Sequence, residues 1–456
     1  MAATAAGEAT RAATPDVACY AARRARLLAH LPPGAVAVAS TAPEVTRNGD
    51  SDYLYRHDSY FYYLTGFTEP EAVLVLVAGL GADSDTPARA ILFCRQKNPD
   101  REIWEGYRHG PDGARVVFGF DEAGAIDELD TMMATLLSNA PALYYALGGT
   151  LDARVADWLG AVRARSRSGV TAPASCVDLL PLLDEMRLLK DQHEQAIMQR
   201  AADISAQAHI RAMRAARAGV YEYELEAELL YEFRRNGAQA PAYNSIVAAG
   251  ANACVLHYSA NNAQARDGDL VLIDAGCELD GYASDITRTF PVNGKFSPAQ
   301  QRLYALVLAA QQAACKAIAP GLPYSGAHEA AVQVLAQGML DLGLLSGTLQ
   351  DIIADKRYLQ FYMHGTGHWL GMDVHDVGQY RDVTQAGKPS RALQAGMVVT
   401  VEPGIYVRPA EGVPQEYWNI GIRIEDDVLV TAAGHHILSA AAPKSVNEIE
   451  QLMRQS

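Results

Sequence analysis

Two hydrophobic rhythms run along the chain, and the change from one to the other divides it. In the first part, short apolar and β-branched runs at 35–40, 72–77, 90–94 and 143–147 are separated by Gly, Asp and Pro turns. Helical stretches fall at 17–31, which carries Arg23, Arg24 and Arg26 and is stopped by Pro32-Pro33-Gly34, and near 127–137. This alternation predicts an α/β domain over 1–183, with loop signals at 166–169 and Pro173 near its end. The stretch 184–190 is then predicted to enter one long helix, in which Ile197, Ala201, Ile204 and Ala208 recur at helical spacing. Arg211, Arg214 and Arg217 precede Gly219, as a helix C-terminus favours. A second helix over 223–236 ends at Gly237. Strand-like runs follow at 245–249, 270–275, 283–290, 398–401 and 420–430, around a helix-rich middle at 297–342, so 184–456 reads as an α+β domain.

Composition narrows the classes of function. A chain of 456 residues is too long for one hydrophobic core, and 49% apolar with 20% charged residues is ordinary for a globular protein. The charge balance is 38 − 53 = −15, without a block of consecutive basic residues, which leaves little to neutralise phosphates and excludes nucleic acid as the expected partner. The longest apolar run, 72–80, is well short of the roughly 18–20 residues that cross a bilayer, so no membrane span is expected. Residues 1–15 lack an apolar core of the secretory type. They read as a frayed terminus, and the protein as cytoplasmic. The six cysteines are widely spaced without a C-x-x-C pair, which predicts reduced, mostly buried thiols. Neither G-x-G-x-x-G nor G-x-x-x-x-G-K occurs, so nucleotide-binding folds lose their main support.

The chemistry lies in acids embedded in apolar runs. Asp274 ends Leu270-Val271-Leu272-Ile273, Asp285 sits in 283–290, Glu402 follows Val398-Val399-Thr400-Val401, and Glu425 follows Gly421-Ile422-Arg423-Ile424. A turn at 278–281 would make a hairpin that sets Asp274 beside Asp285. Any one such acid alone is explained as well by a salt bridge or by solvent, but four buried carboxylates together need a partner. Histidines supply a second signal: His364, His368 and His375 within 364–376, and His257 in a glycine-rich neighbourhood. Two glycines between His364 and His368 disfavour a helix, so the segment is predicted to be strand or loop with 364, 366 and 368 on one side. Four carboxylates carry −4, and two divalent cations would neutralise them. Oxygen-rich donors with a single imidazole favour Mn²⁺, and more weakly Fe²⁺, Co²⁺ or Zn²⁺. Two metals sharing a bridging hydroxide imply hydrolysis.

At these residues the chain resembles the pita-bread metallopeptidases, and within them the aminopeptidase P branch. The resemblance extends to Arg47-Asn48-Gly49-Asp50-Ser51-Asp52-Tyr53, to Tyr62-Tyr63-Leu64-Thr65-Gly66-Phe67-Thr68-Glu69-Pro70-Glu71-Ala72 and to Arg101-Glu102-Ile103-Trp104. It implies an α/β N-terminal domain followed by a pita-bread α+β catalytic domain with pseudo-twofold halves. It also implies Asp274 as a ligand of one metal, Asp285 and Glu425 as bridging carboxylates, and His368 and Glu402 as ligands of the other. Glu402 is implied in proton transfer from the bridging water, His257, His364 and His375 in orienting substrate, stabilising the tetrahedral intermediate or moving protons, and Tyr406 and Arg423 in supporting the ligands. The implied substrate is a peptide with proline in the second position, and the implied assembly is a dimer or tetramer of identical chains. Thr366-Gly367 and a long 377–393 stretch depart from the pattern, the second where it could reshape the substrate mouth. Prolidase, which shares the five ligands, is the alternative. The stretch from His375 to Arg423, including Arg391, favours aminopeptidase P. A non-catalytic binding protein of this fold is disfavoured, because five ligands without cations would be a costly cluster of like charges.

Overall fold

The computed structural model describes residues 17–81 and 85–455; the terminus read above as frayed lies outside them. Contacts divide the chain into two compact units, Met1–Met186 and Arg187–Ser456. The division falls within the helix Leu180–Leu188. The long helix expected from 184 onward is broken there. Asp191 caps a new helix, Gln192–Ala215, by accepting from Glu194 N while the Glu194 side chain accepts from Asp191 N, a reciprocal capping box that starts a helix wherever it forms.

The first unit is built on a six-stranded sheet, in the order Glu122–Ala125, Arg89–Cys94, Val73–Val77, Val36–Ser40, Ala142–Tyr145, Ser175–Asp178. Val73–Val77 pairs antiparallel on both sides, and the outer pairings are parallel. Side chains of period two on one face, among them Val36, Val38, Val73, Val75, Ile91 and Phe93, pack under Leu129, Met133, Trp158 and Val162 from the helices Leu129–Leu136 and Asp152–Ala164.

The second unit repeats one order twice: a pair of packed helices, then strands. Gln192–Ala215 and Glu222–Arg235 precede the antiparallel sheet Ile246–Ala249, Leu270–Asp274, Thr287–Pro291. Pro298–Lys316 and Ser325–Asp341 precede the sheet Val398–Val401, Asp426–Thr431, Gly434–Ile437 and the hairpin Gly404–Val407 with Ile420–Arg423. The single strand expected over 420–430 is thus two, interrupted at Ile424 and Glu425. That over 283–290 is likewise split into Tyr282–Ala283 and Thr287–Pro291, with Asp285 in the gap. Both interruptions carry acids of the site. All six cysteines are free, with Cys94, Cys254, Cys277 and Cys315 buried. Among the described residues no helix is long and apolar enough to cross a membrane.

Candidate metal centre and active site

Backbone register brings the acids together. Asp274 pairs with Thr287 at the end of the Leu270–Asp274 ladder, and beyond it the chains stay in contact through Ala275 N to Ile286 O at 3.0 Å. Gly276 allows this approach: a Cβ there would lie 1.7 Å from Ser284 O. The Asp285 backbone N–H is held by the Asp427 carboxylate at 3.1 Å. Glu425 N donates to Thr287 O, and Thr287 Oγ1 donates to Glu425 Oε2 at 2.7 Å. Glu402, one residue past Val398–Val401, donates its N–H to Thr366 O at 2.8 Å, and Thr400 N donates to His368 O at 2.9 Å. These bonds lay the His364–His368 segment along that strand without a helix. Gly367 makes it possible, since a Cβ there would meet Thr400 O at 1.9 Å.

All eight residues expected at the metals or the substrate line one cavity of about 500 Å³: Asp274, Asp285, His368, Glu402, Glu425, His257, His364 and His375. Ligand atoms of Asp285, His368 and Glu425 lie within 4.8 Å of one another. His368 Nδ1 donates to Trp369 O at 2.9 Å, which orients the ring and leaves Nε2 facing the acids, 3.4 Å from Asp285 Oδ2. Arg423 supports the group from below, donating to Asp274 Oδ2 at 2.5 Å, to Thr287 Oγ1 at 3.1 Å and to the Tyr406 hydroxyl at 3.0 Å. Arg423 and Tyr406 thus stand beside Asp274, bonded to each other.

Three features depart from expectation. Thr366 does not share a side with His364 and His368: its side chain bonds His328 and Tyr362 in a different cavity, because the glycines on either side bend the segment out of a regular pleat. The 377–393 stretch does not border the metal cavity. It folds back on itself through Arg381 paired with Ser390 and contributes Tyr380, Arg381 and Ser390 to that second cavity. Tyr243 was not foreseen, yet its hydroxyl lies 2.6 Å from Asp274 Oδ1 and 2.5 Å from Asp285 Oδ1. Its only sequence signal is a place just before the strand Ile246–Ala249, and nothing local marks it as polar-facing.

Electrostatics express the missing counter-charge. Burial and then Asp274 raise the Asp285 carboxyl. Burial, then Asp285, Glu402 and Asp274, push Glu425 well above its usual range. Burial lifts Glu402 to about 7 against the pull of His368 and Arg423. Burial opposes the His368 imidazolium, but the bond and charge of Asp285 outweigh it and raise the group to about 9. Burial and Arg423 lower His364 to about 4, so it is neutral at pH 7, with Nδ1 donating to Gly365 O and Nε2 accepting from Tyr406. The Tyr243 hydroxyl has one hydrogen for two carboxylates, and its second contact is favourable only with a proton or cation in the cluster. Carboxylate oxygens and one oriented imidazole fit hard or borderline divalent cations.

This fold and donor set define a metallopeptidase. The model of metallopeptidase family M24 matches residues 196–432, and that of the aminopeptidase P N-terminal domain matches residues 20–144. The chain belongs to this family, and its second unit is the pita-bread catalytic domain. It is 46% identical to the Xaa-Pro aminopeptidase of Escherichia coli strain K12, over 94% of this chain and 96% of that protein. Among solved structures it superposes on Pseudomonas aeruginosa aminopeptidase PepP with a TM-score of 0.92 and 50% identity, covering 96% of this chain and 98% of the other. A zinc-substituted E. coli aminopeptidase P in complex with product matches with the same TM-score of 0.92 at 45% identity, over the same 96% and 98%.

Proposed function

We propose that this enzyme hydrolyses the first peptide bond of chains whose second residue is proline, releasing the N-terminal amino acid with the help of two divalent metal ions. One observation carries the reading: four carboxylates and four histidines, drawn from both halves of the second unit, converge on one cavity in a chain whose relatives bear the name Xaa-Pro aminopeptidase. Asp274, Asp285, Glu425, His368 and Glu402 would hold the metals, of which Mn²⁺ suits the oxygen-rich donors best. Bound there, divalent cations supply Lewis acidity and a water nucleophile usable at neutral pH.

The chain's own groups do the rest. Glu402, at the cavity among the acids, is the group to take a proton from the attacking water and pass it to the leaving proline nitrogen. His257 and His375 are exposed at the cavity, and among the described residues neither side chain has a hydrogen-bond partner, which leaves both for the substrate carbonyl and amine. His364 has both nitrogens engaged, so a substrate contact requires one of those bonds to open. Among the described residues that line the cavity, Arg423 is the only Arg or Lys, and Asp274 already holds it. No free cation therefore awaits the carboxylate of a dipeptide, which favours aminopeptidase P over prolidase. We further propose a cytoplasmic location and assembly of identical chains into a dimer or tetramer.

The test is to strip the protein with a chelator and follow release of the first residue from an Xaa-Pro-Yaa peptide. Turnover should vanish on stripping and return with Mn²⁺, at about two ions per chain. Asp285→Ala should lose at least one ion and nearly all turnover. Full activity of the stripped protein would end the two-metal reading.

A further inference from the structure

The site uses His364 and His368 and leaves Thr366, between them, unexplained. Thr366 is 4% exposed, and its side chain faces away from the metal cavity into a second cavity of about 480 Å³. Its Oγ1 lies 2.8 Å from His328 Nδ1 and 2.6 Å from the hydroxyl of the fully buried Tyr362. His328 projects from the first turn of the helix Ser325–Asp341. A threonine hydroxyl has one hydrogen and two lone pairs, so it can bond both partners at once, accepting from both or accepting from one and donating to the other.

The middle of this chain of bonds and its Tyr362 end touch groups at the reacting centre, while its His328 end is anchored in the helix Ser325–Asp341. The Thr366 carbonyl accepts the Glu402 N–H at 2.8 Å. The Tyr362 ring meets the His364 ring edge-on, centroids 4.9 Å apart at 79°. His364 in turn bonds Tyr406 at 2.8 Å, and Tyr406 accepts from Arg423. The Thr366 peptide sits between two glycines and cannot rely on backbone stiffness to hold its place. We propose that His328, Thr366 and Tyr362 form a positioning relay that pins the back of the His364–His368 segment to the helix Ser325–Asp341 and so fixes Glu402 and His364 for catalysis. His328 and Thr366 are positioning residues, because neither lines the metal cavity. The proposal deepens the proposed function and rests on it.

Thr366→Val keeps size and branching and removes only the hydroxyl, whereas Thr366→Ser keeps the hydroxyl. His328→Phe removes Nδ1 and keeps a ring, and it serves if Thr366→Val does not fold. Because the misplaced groups act on the reacting atoms, kcat on an Xaa-Pro-Yaa peptide should fall about 10- to 100-fold in Thr366→Val and in His328→Phe. KM and metal content should stay near wild type, and Thr366→Ser should restore most of the rate. The double variant should be little worse than either single one, since both break the same relay. Hydrogen exchange of segments 361–370 and 398–404 in the Mn²⁺-loaded protein reads the relay without turnover: both should exchange faster in Thr366→Val and return to wild-type rates in Thr366→Ser. Unchanged exchange and unchanged kcat would overturn the relay, as would a Thr366→Ser variant as slow as Thr366→Val. So would a loss carried by metal content or KM alone. A wild type inactive on proline peptides would sink the functional reading, while the exchange comparison would still decide the relay.

Discussion

Each acid of the site is expensive alone and stable only in company. Asp285 and Glu425 are 5% and 2% exposed, and burial together with the neighbouring carboxylates raises both groups above the usual carboxylate range. Such shifts have a direction in pH. In the metal-free protein Glu402 rises from 4.5 to about 7 and His368 from 6.5 to about 9. Each group therefore binds more protons folded than unfolded. Its contribution is complete below the unfolded value and lost as pH rises through the folded one. Stripped protein should lose thermal stability from about pH 5 to pH 9, and the rise in Tm on adding Mn²⁺ should grow over the same window. Paired melting curves would check this; a Tm gain that shrinks toward pH 9 would contradict it. The histidines divide on the same geometry. His368, its ring oriented by Trp369 O, faces the acids, whereas His257 and His375 stand at the exposed rim. Metal analysis should find His368→Ala depleted, and His257→Ala and His375→Ala near normal but lowered about 10²- to 10⁴-fold in kcat/KM. Equal metal and normal turnover in all three variants would refute the division.

Strands and loops carry these residues by way of two glycines. Gly276 lets the Asp274 and Asp285 chains close, and Gly367 lets the His364–His368 segment lie on Val398–Val401. Alanine at either position would drive a methyl into a backbone carbonyl, costing at least about 1–3 kcal/mol. Gly276→Ala and Gly367→Ala should therefore lower Tm and metal content together. A variant with normal metal and Tm would show the close approach to be dispensable. At this scale the sequence was legible where pattern is local. The strand 398–401 was expected at the bounds it has, the apolar spacing of Ile197, Ala201, Ile204 and Ala208 falls in the helix Gln192–Ala215, and helices stand where 223–236 and the helix-rich 297–342 were read. It was illegible where the pattern is continuous but the backbone is not. The runs 283–290 and 420–430 read as single strands, yet Asp285 and Glu425 interrupt them, because ladder pairing gives way where carboxylates turn toward the cavity. Tyr243 and Asp427 were unread for a related reason: their roles come from cross-strand neighbours at 31 and 142 residues' separation.

On the scale of the whole molecule the acids and histidines line one cavity, while the 377–393 segment, whose role the sequence left open, contributes Tyr380, Arg381 and Ser390 to the second cavity. Proline in the second position makes the scissile bond a tertiary amide with a fixed ring and no N–H, so recognition there depends on shape and on groups that meet the carbonyl and the free amine. A dipeptide adds a carboxylate on that proline. The one guanidinium among the described lining residues is already bonded to Asp274 and Tyr406. With no free Arg or Lys among the described lining residues, burying that carboxylate costs desolvation that no side-chain cation offsets. In Xaa-Pro-Yaa the same carbon is a neutral amide, and the terminal charge lies at least one residue further away. We therefore expect kcat/KM to be higher for Xaa-Pro-Yaa and longer peptides than for Xaa-Pro dipeptides, and low for peptides without proline in position two. Amidating the dipeptide's C-terminus should recover much of the lost rate, because it removes the charge and leaves the ring in place. Steady-state assays on a dipeptide, its amide and a tripeptide of the same first residue separate the outcomes. A dipeptide cleaved as well as its amide and the tripeptide would mean that a cation for the carboxylate exists after all, and prolidase would describe the activity better.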